Sequence, residues 1–456
     1  PYFARSWEFD SDTSEVIFHL RHDLQWHDGT PVTSRDVAFT FERLKDPAVA
    51  FPNPSYFDYW DAVDVIDPVT VRFFLRPHAN ALYGWTRTAI MPEHILGDVP
   101  PGELESHPFG VLAPVGNGPF RFVERVPGDR WVFEANPDFP PELGGRPYLD
   151  RLVYRQIPDD FALTAALQTG EVDLVIEASP AMLDQVGDDT TIVSTSYSAP
   201  EYAFIAWNSR RPEFADSRVR RALTMAIDRE TLVEAVLGGN GTAAPGPVGP
   251  WHWAYDSTWA PLPFDPEAAA ALLDEAGWRD SDGDGVRDRA GEPFSFELLA
   301  TPRREWAAVQ TLTQASLGQL GVEVEPVVRE QGALIPLVIG ADRRFDAVLI
   351  GWARDVPLND VDLWACDQVG QPFQFTSYCN PELDAVLDSI PLTPDRDRLR
   401  SLIGRYHELI VEDQPYTFLY YLDRVDLSRS RVYGTRMDSR GDWVDVSRWW
   451  VHDGSG

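Results

Sequence analysis

Cysteine is scarce in this chain: 456 residues contain two, Cys366 and Cys379. No second pair of Cys or His stands beside them at ligand spacing, which argues against zinc. Two readings stay open for the pair: a local disulfide closing a loop of about 15 residues, worth about 3 kcal/mol in an oxidising compartment, or two buried thiols. Long apolar runs are also missing, so no segment has the length of a bilayer span. Positive charge is short, with 39 Lys and Arg against 72 Asp and Glu and a formal net charge of −33. Such a balance repels phosphate backbones and anionic headgroups and excludes nucleic acid as a partner. A solvated acidic surface explains it most simply, with attraction of cationic ligands as a second consequence. There is no short-period repeat and no low-complexity tract. No motif supplies a nucleophile with its base, a carboxylate pair or a catalytic metal, so the chain does not read as an enzyme. His19, His22 and His27 lie in a strand and its turn at spacings that do not present one face, as ordinary polar positions do. No signal peptide, lipid-attachment cysteine or membrane segment opens the chain. Because Pro1 to Trp7 read like the middle of a domain, the natural N-terminus is expected to lie outside this sequence.

What is present is globular composition, 44% hydrophobic and 12% aromatic, on a length that suggests about three structural units. Glu15 to Trp26 and Pro68 to Arg76 alternate apolar and polar residues as half-buried strands do. Between them, Thr33 and Asp36 form a capping box ahead of Val37, Phe41 and Leu44. Strands are expected at Phe120 to Val126 and Arg151 to Gln156. The helix Phe161 to Thr169, ended by Gly170, leads to a buried strand at Glu171 to Ile176, the order of a parallel-sheet unit. Asp216 caps a core-facing helix in which Val219, Ala222, Leu223, Ala226 and Ile227 share one stripe. Asp265 with Pro266 starts another, stopped at Gly277. Arg303 to Leu320 is a third, ended by Gly321 and followed by a strand at Val322 to Val328; Phe345 to Trp352 is again a strand. This is α/β architecture in at least two lobes.

Six segments in order then carry a resemblance over nearly the whole chain: FHLRHDLQWHDGTPVTSRDV at Phe18–Val37, GNGPFRFVERVPGD with EANPDF at Gly116–Phe139, LQTGEVDL at Leu167–Leu174, FADSRVRRALTMAIDRETLV at Phe214–Val233, LLDEAGW at Leu272–Trp278 and EDQPYTFLYY at Glu412–Tyr421. Together they resemble family 5 of the extracytoplasmic solute-binding proteins, which deliver oligopeptides, dipeptides or nickel complexes to ATP-driven importers. The resemblance implies a two-lobed periplasmic-binding-protein-like fold, type II with an extra small domain, and a hinged cleft that closes on its ligand. It divides the chain into 1–115, a small accessory domain plus the edge of lobe I; 116–201, the first part of lobe I without its N-terminal strand; 202–424, lobe II; and 425–456, the return into lobe I. The implied function is the substrate-binding component of an ABC transporter, an extracytoplasmic monomer that hands a peptide-like solute to a membrane permease. Oligosaccharides, opine-like compounds or metal chelates, and a regulatory clamp without a transporter, are the alternatives on the same fold.

For a peptide ligand, the resemblance aligns Asp355 with the aspartate that holds the α-amino group. Trp352 and Tyr421 become aromatic walls. The family's arginine for the peptide carboxylate is replaced by Leu349, so Arg343, Arg344 or Arg354 is expected to substitute. No cofactor is required. Separately, DSDGDGVRD at Asp280–Asp288 places Asp280, Asp282 and Asp284 at positions 1, 3 and 5 of a calcium loop, the Val286 carbonyl at 7 and Asp288 at 9. The bidentate Glu expected at position 12 is absent, and Gly291 stands there. Structural calcium and a plain solvated hairpin tip are both consistent with that spacing.

Overall fold

The computed structural model describes residues 2–452 apart from 11–13, 50, 52–56, 58, 59, 77–87, 111, 355–357, 359 and 394. Its chain divides into two compact units: unit 1 comprises residues 1–195 and 425–456, and unit 2 comprises residues 196–424.

Unit 1 begins with a four-stranded antiparallel sheet of β1 (Ala4–Phe9), β2 (Glu15–Leu20), β3 (Trp60–Asp67) and β4 (Thr70–Leu75), in the order β1-β2-β4-β3. Strict alternation decides which face is buried. Val16, Phe18 and Leu20 of β2 lie under the sheet with Val71, Phe73 and Leu75 of β4. The intervening positions face out, where Arg72 bridges Asp64 at 2.9 Å and Glu15 at 3.5 Å. The helix Ser34–Lys45 covers the apolar face, with the Phe41 ring 5.0 Å from that of Phe73. Its start is the expected capping box: the Thr33 N–H donates to Asp36 at 2.7 Å and the Thr33 hydroxyl oxygen accepts from the Arg35 N–H at 3.3 Å. The strand expected to run on to Trp26 ends at Leu20, because the chain bends at His22 and Asp23, where the Arg21 side chain donates to the Asp23 carboxylate at 3.0 and 2.7 Å.

A second antiparallel sheet in unit 1 joins β5 (Phe120–Val126), β6 (Arg130–Ala135) and β7 (Arg151–Arg155). Phe122, Phe133 and Leu152 stand in one cross-strand row, Trp131 and Tyr154 in the next. Asp159 caps the helix Asp160–Thr169 and Gly170, at φ +80°, ends it as expected. The strand that follows, β8, is only Leu174–Val175, and it pairs antiparallel with Leu427 and Ser428. The strand–helix–strand segment around residue 160 is therefore not a parallel unit: β7 hydrogen-bonds to β6 in one sheet and β8 joins another.

The chain leaves unit 1 within β9 (Ile192–Trp207). In unit 2, β10 (Gly241–Ala243), the hairpin of β11 (Asp288–Arg289) with β12 (Glu292–Pro293), β13 (Ser295–Ala300), β14 (Glu323–Val328), β15 (Ala347–Ala353) and β16 (Tyr416–Arg429) follow, the chain returning to unit 1 within β16. The main sheet runs β10-β16-β9-β15-β13-β14. Here the parallel unit does occur: β13 pairs in parallel with both β14 and β15, and the helices Arg304–Gln319 and Gln331–Ile339 make the crossovers. Period two sorts β9 between two cores. Ala203, Ile205 and Trp207 face a cluster that includes the helices Ser217–Met225 and Pro266–Glu275, and Tyr202, Phe204 and Ala206 face another that includes the helix Arg396–Asp413. The stripe predicted from Val219 to Ile227 is wholly buried in the first. The chain ends in unit 1 with the short pair β17 (Val432–Tyr433) and β18 (Trp450–Val451).

Candidate functional site

Strand β15 carries the segment on which the ligand assignment rests. Its interior residues Ala347, Val348 and Leu349 are fully buried, β13 lies on one side and β9 on the other, and Trp352 stands opposite Tyr202 near its end. The Trp352 ring is half-buried and meets Phe373 edge-on at 5.8 Å. Asp355, two residues beyond the strand, lies outside the described residues.

Arg354 has a different role from the one expected. It is 7% exposed, and its two terminal nitrogens donate to the two oxygens of Asp360 at 2.6 and 2.7 Å. Tyr406 donates its hydroxyl to the same carboxylate, and the Trp364 indole N–H donates to Tyr406 at 3.0 Å. Burial disfavours the charged guanidinium, but Asp360 holds its pKa above the ordinary arginine value. Burial, then the adjacent carboxylate, pushes the Tyr406 hydroxyl up. A paired fork of this kind is short and strong, and its removal from water is tolerated because every carboxylate oxygen has a donor. Arg354 thus pins residues 354 and 360 together, and its guanidinium is not open to a ligand carboxylate.

The other arginines divide similarly. Arg343 is buried and donates to backbone carbonyls, among them Gly340 at 2.9 Å, closing the end of the helix Gln331–Ile339. Arg344 is exposed. Tyr421, expected as an aromatic wall, is 1% exposed, and its one hydroxyl proton is shared between the carbonyls of Gly246 and Val248, each 2.8 Å away. Its ring meets Trp251 edge-on at 5.0 Å. Tyr421 supports the loop that carries Trp251, and burial raises its pKa.

Cys366 and Cys379 are joined in a disulfide with Cα atoms 4.8 Å apart. The bridge closes the loop that follows the Asp360 network. Replacing both cysteines with serine is expected to lower unfolding free energy by about 3 kcal/mol, read from the urea midpoint; an unchanged midpoint would show that the loop is held by packing alone.

In the acidic hairpin, Asp280, Asp282 and Asp284 each offer a carboxylate oxygen within 4.8 Å of the others, all exposed. Those carboxylates also accept the loop's own N–H groups: Gly283 to Asp280 at 2.7 Å, Asp284 to Asp282 at 3.2 Å and Val286 to Asp284 at 2.8 Å. Asp288, placed at position 9 by the sequence, instead accepts from the Ser281 N–H and hydroxyl at 2.9 and 2.5 Å. Those bonds hold its pKa below the usual carboxylate value. Position 9 is thus turned from the cluster by Ser281, whose hydroxyl the spacing argument did not weigh.

Sequence reasoning passed over Asp360 and Tyr406. The signal for Tyr406 was its place in the buried stripe with Leu399, Ile403 and Ile410; nothing local marked Asp360 as its partner. Among the described residues no helix is long and apolar enough to cross a membrane.

Comparison with known proteins adds the family. Residues 1–371 match the family described as bacterial extracellular solute-binding proteins, family 5 Middle. The oligopeptide-binding protein AppA of Bacillus subtilis is 32% identical over 440 residues, covering 95% of this chain and 80% of that protein. The solved structure of AppA in complex with a nonapeptide superposes with a TM-score of 0.87 at 29% identity, over 99% of this chain and 90% of that one. The fold is shared with NikZ from Campylobacter jejuni, solved in complex with Ni(L-His), at a TM-score of 0.86 and 23% identity, covering 98% and 90% of the two chains. On the match of its first 371 residues and its likeness to AppA along almost its full length, the chain belongs to family 5 of the bacterial extracellular solute-binding proteins.

Proposed function

We propose that this protein is the substrate-binding component of an ABC importer, which captures a peptide outside the cytoplasm and delivers it to a membrane permease. The observation that carries the reading is the 32% identity to an oligopeptide-binding protein across 95% of the chain. The ligand assignment follows β15: Trp352 supplies an apolar wall, and Asp355 takes the α-amino group of the peptide in a charge-assisted bond. Arg354 and Tyr421, engaged with buried partners of their own, serve as supporting residues in this reading. The protein works by binding and release, without catalysis, as a monomer, either free in the periplasm or lipid-anchored at the cell surface. Native mass spectrometry of the purified protein is expected to show a bound species with a peptide mass that disappears on denaturation; a copurifying sugar or metal chelate would overturn the ligand class.

Calcium at Asp280, Asp282 and Asp284 belongs to the same proposal, supported by the 4.8 Å clustering of the three carboxylates. A site of this composition falls in the weak range, with Kd about 10⁻⁴ M, so saturating calcium is expected to add about 2.7 kcal/mol at a hundredfold excess over Kd. A melting midpoint that is the same in calcium and in chelator would remove the ion and leave a plain hairpin tip.

A further inference from the structure

The loop closed by the Cys366–Cys379 bridge presents an aromatic ring that the assignments above do not use. Phe375, 2% exposed, roots this loop in the core, stacked on Tyr416 with ring centroids 5.9 Å apart. Two positions earlier, Phe373 is only half-buried, as is Trp352, and the two rings meet at 5.8 Å with 79° between their planes. Set edge to face, they make an apolar corner that neither ring's neighbours cover completely. The corner is fixed from several sides. Pro372 restricts the backbone just before Phe373. On one flank the Arg343 guanidinium donates to the Gln371 carbonyl. On the other, the buried Gln374 side chain accepts the Ser377 N–H at 2.9 Å and donates to the Tyr378 carbonyl, and the Thr376 carbonyl accepts the Ser209 N–H at 2.8 Å. A ring fixed before the ligand arrives loses little freedom when it binds. The local arginines are spent elsewhere, Arg343 on backbone carbonyls and Arg354 on Asp360. Between the two cysteines, Asp367 is the only acidic or basic residue, and it is exposed. The corner is therefore suited to an apolar side chain and offers a charged one no partner from this loop.

We propose that Phe373 and Trp352 together form a side-chain subsite that selects an apolar residue, aromatic by preference, near the amino end of the peptide. Asp355 follows Trp352 by three positions, so a peptide whose ammonium group is held by Asp355 brings its first residues to this corner. Phe373 is then a specificity-determining residue, and the bridged loop is the frame that presents it. This inference rests on the reading of the chain as a peptide binder, and it names the side chain that the same site selects.

The test is titration calorimetry on the full chain with nonapeptides that have free amino ends and differ only in carrying phenylalanine or serine at position 1, 2 or 3. At one of these positions the phenylalanine peptide is expected to bind about tenfold more tightly than its serine counterpart, as burial of one ring against two others allows. Phe373→Ala is expected to cut that ratio to about twofold while leaving the serine peptide's affinity unchanged. Phe373→Leu, which keeps an apolar side chain, should fall between. Urea midpoints identify an alanine variant that has lost its fold; the leucine variant then decides alone, and an unchanged ratio in it overturns the subsite. A preference at none of the three positions, or one that survives Phe373→Ala in a folded protein, overturns the subsite and leaves peptide capture standing. Equal weakening of the phenylalanine and serine peptides would make Phe373 a structural prop and overturn it too. Binding of no peptide at all overturns the reading on which the subsite rests.

Discussion

Asp355→Ala is expected to weaken peptide binding by at least about thirtyfold, because truncating one partner of a desolvated, hydrogen-bonded charge pair costs about 2–5 kcal/mol. The loss should appear mainly as faster dissociation. Asp355→Asn keeps the shape and one acceptor oxygen, so it should fall between the wild type and the alanine variant. The decisive control is the ligand's own charge. A peptide acetylated at its N-terminus has no ammonium for Asp355 to hold, so it should bind the wild type weakly and lose little more on Asp355→Ala. If the free and acetylated peptides suffer equally from the mutation, Asp355 acts on the fold or elsewhere on the ligand, and the amino-terminal assignment is wrong.

Arg354→Met should destabilise the protein by about 3–5 kcal/mol, the cost of leaving a buried carboxylate without its partner. Asp360 is 2% exposed and, among the described residues, would keep only the Tyr406 hydroxyl of the donors it has now. The double variant Arg354→Met with Asp360→Leu removes both charges and should recover most of the loss, since a well-packed apolar pair often equals a buried ion pair. Equal melting midpoints for Arg354→Met and wild type would show the fork to be dispensable.

How much of this could be read from residues alone depended on whether the information was local. The Thr33–Asp36 box, the Asp216 cap and the Val219 to Ile227 stripe are satisfied within a few residues, and each forms as expected. Glycine at a helix end is equally local: Gly170 and Gly321 adopt the left-handed conformation their positions require. What failed was non-local. Two residues of β8 cannot specify a partner, and theirs lies about 250 positions away in β16. The fork between Arg354 and Asp360 spans six residues, but the hydroxyl that completes it comes from Tyr406, 46 positions from Asp360. Tyr421 was legible as a large aromatic in a strand; that its polar tip is used up by Gly246 and Val248 depends on a loop 173 residues or more away. The carboxylates of Asp280, Asp282 and Asp284 do come together, as a spacing of two residues in a tight turn allows, whereas Asp288 is held by a serine inside the same loop.

Peptide capture is the claim on which the rest stands, and direct calorimetric titration of the ligand-stripped protein with a short unmodified peptide mixture tests it most simply. The account predicts saturable one-to-one binding with a negative heat-capacity change, as burial of apolar peptide surface requires. No heat with any peptide, alongside saturable binding of an oligosaccharide or a nickel chelate under the same conditions, would contradict it.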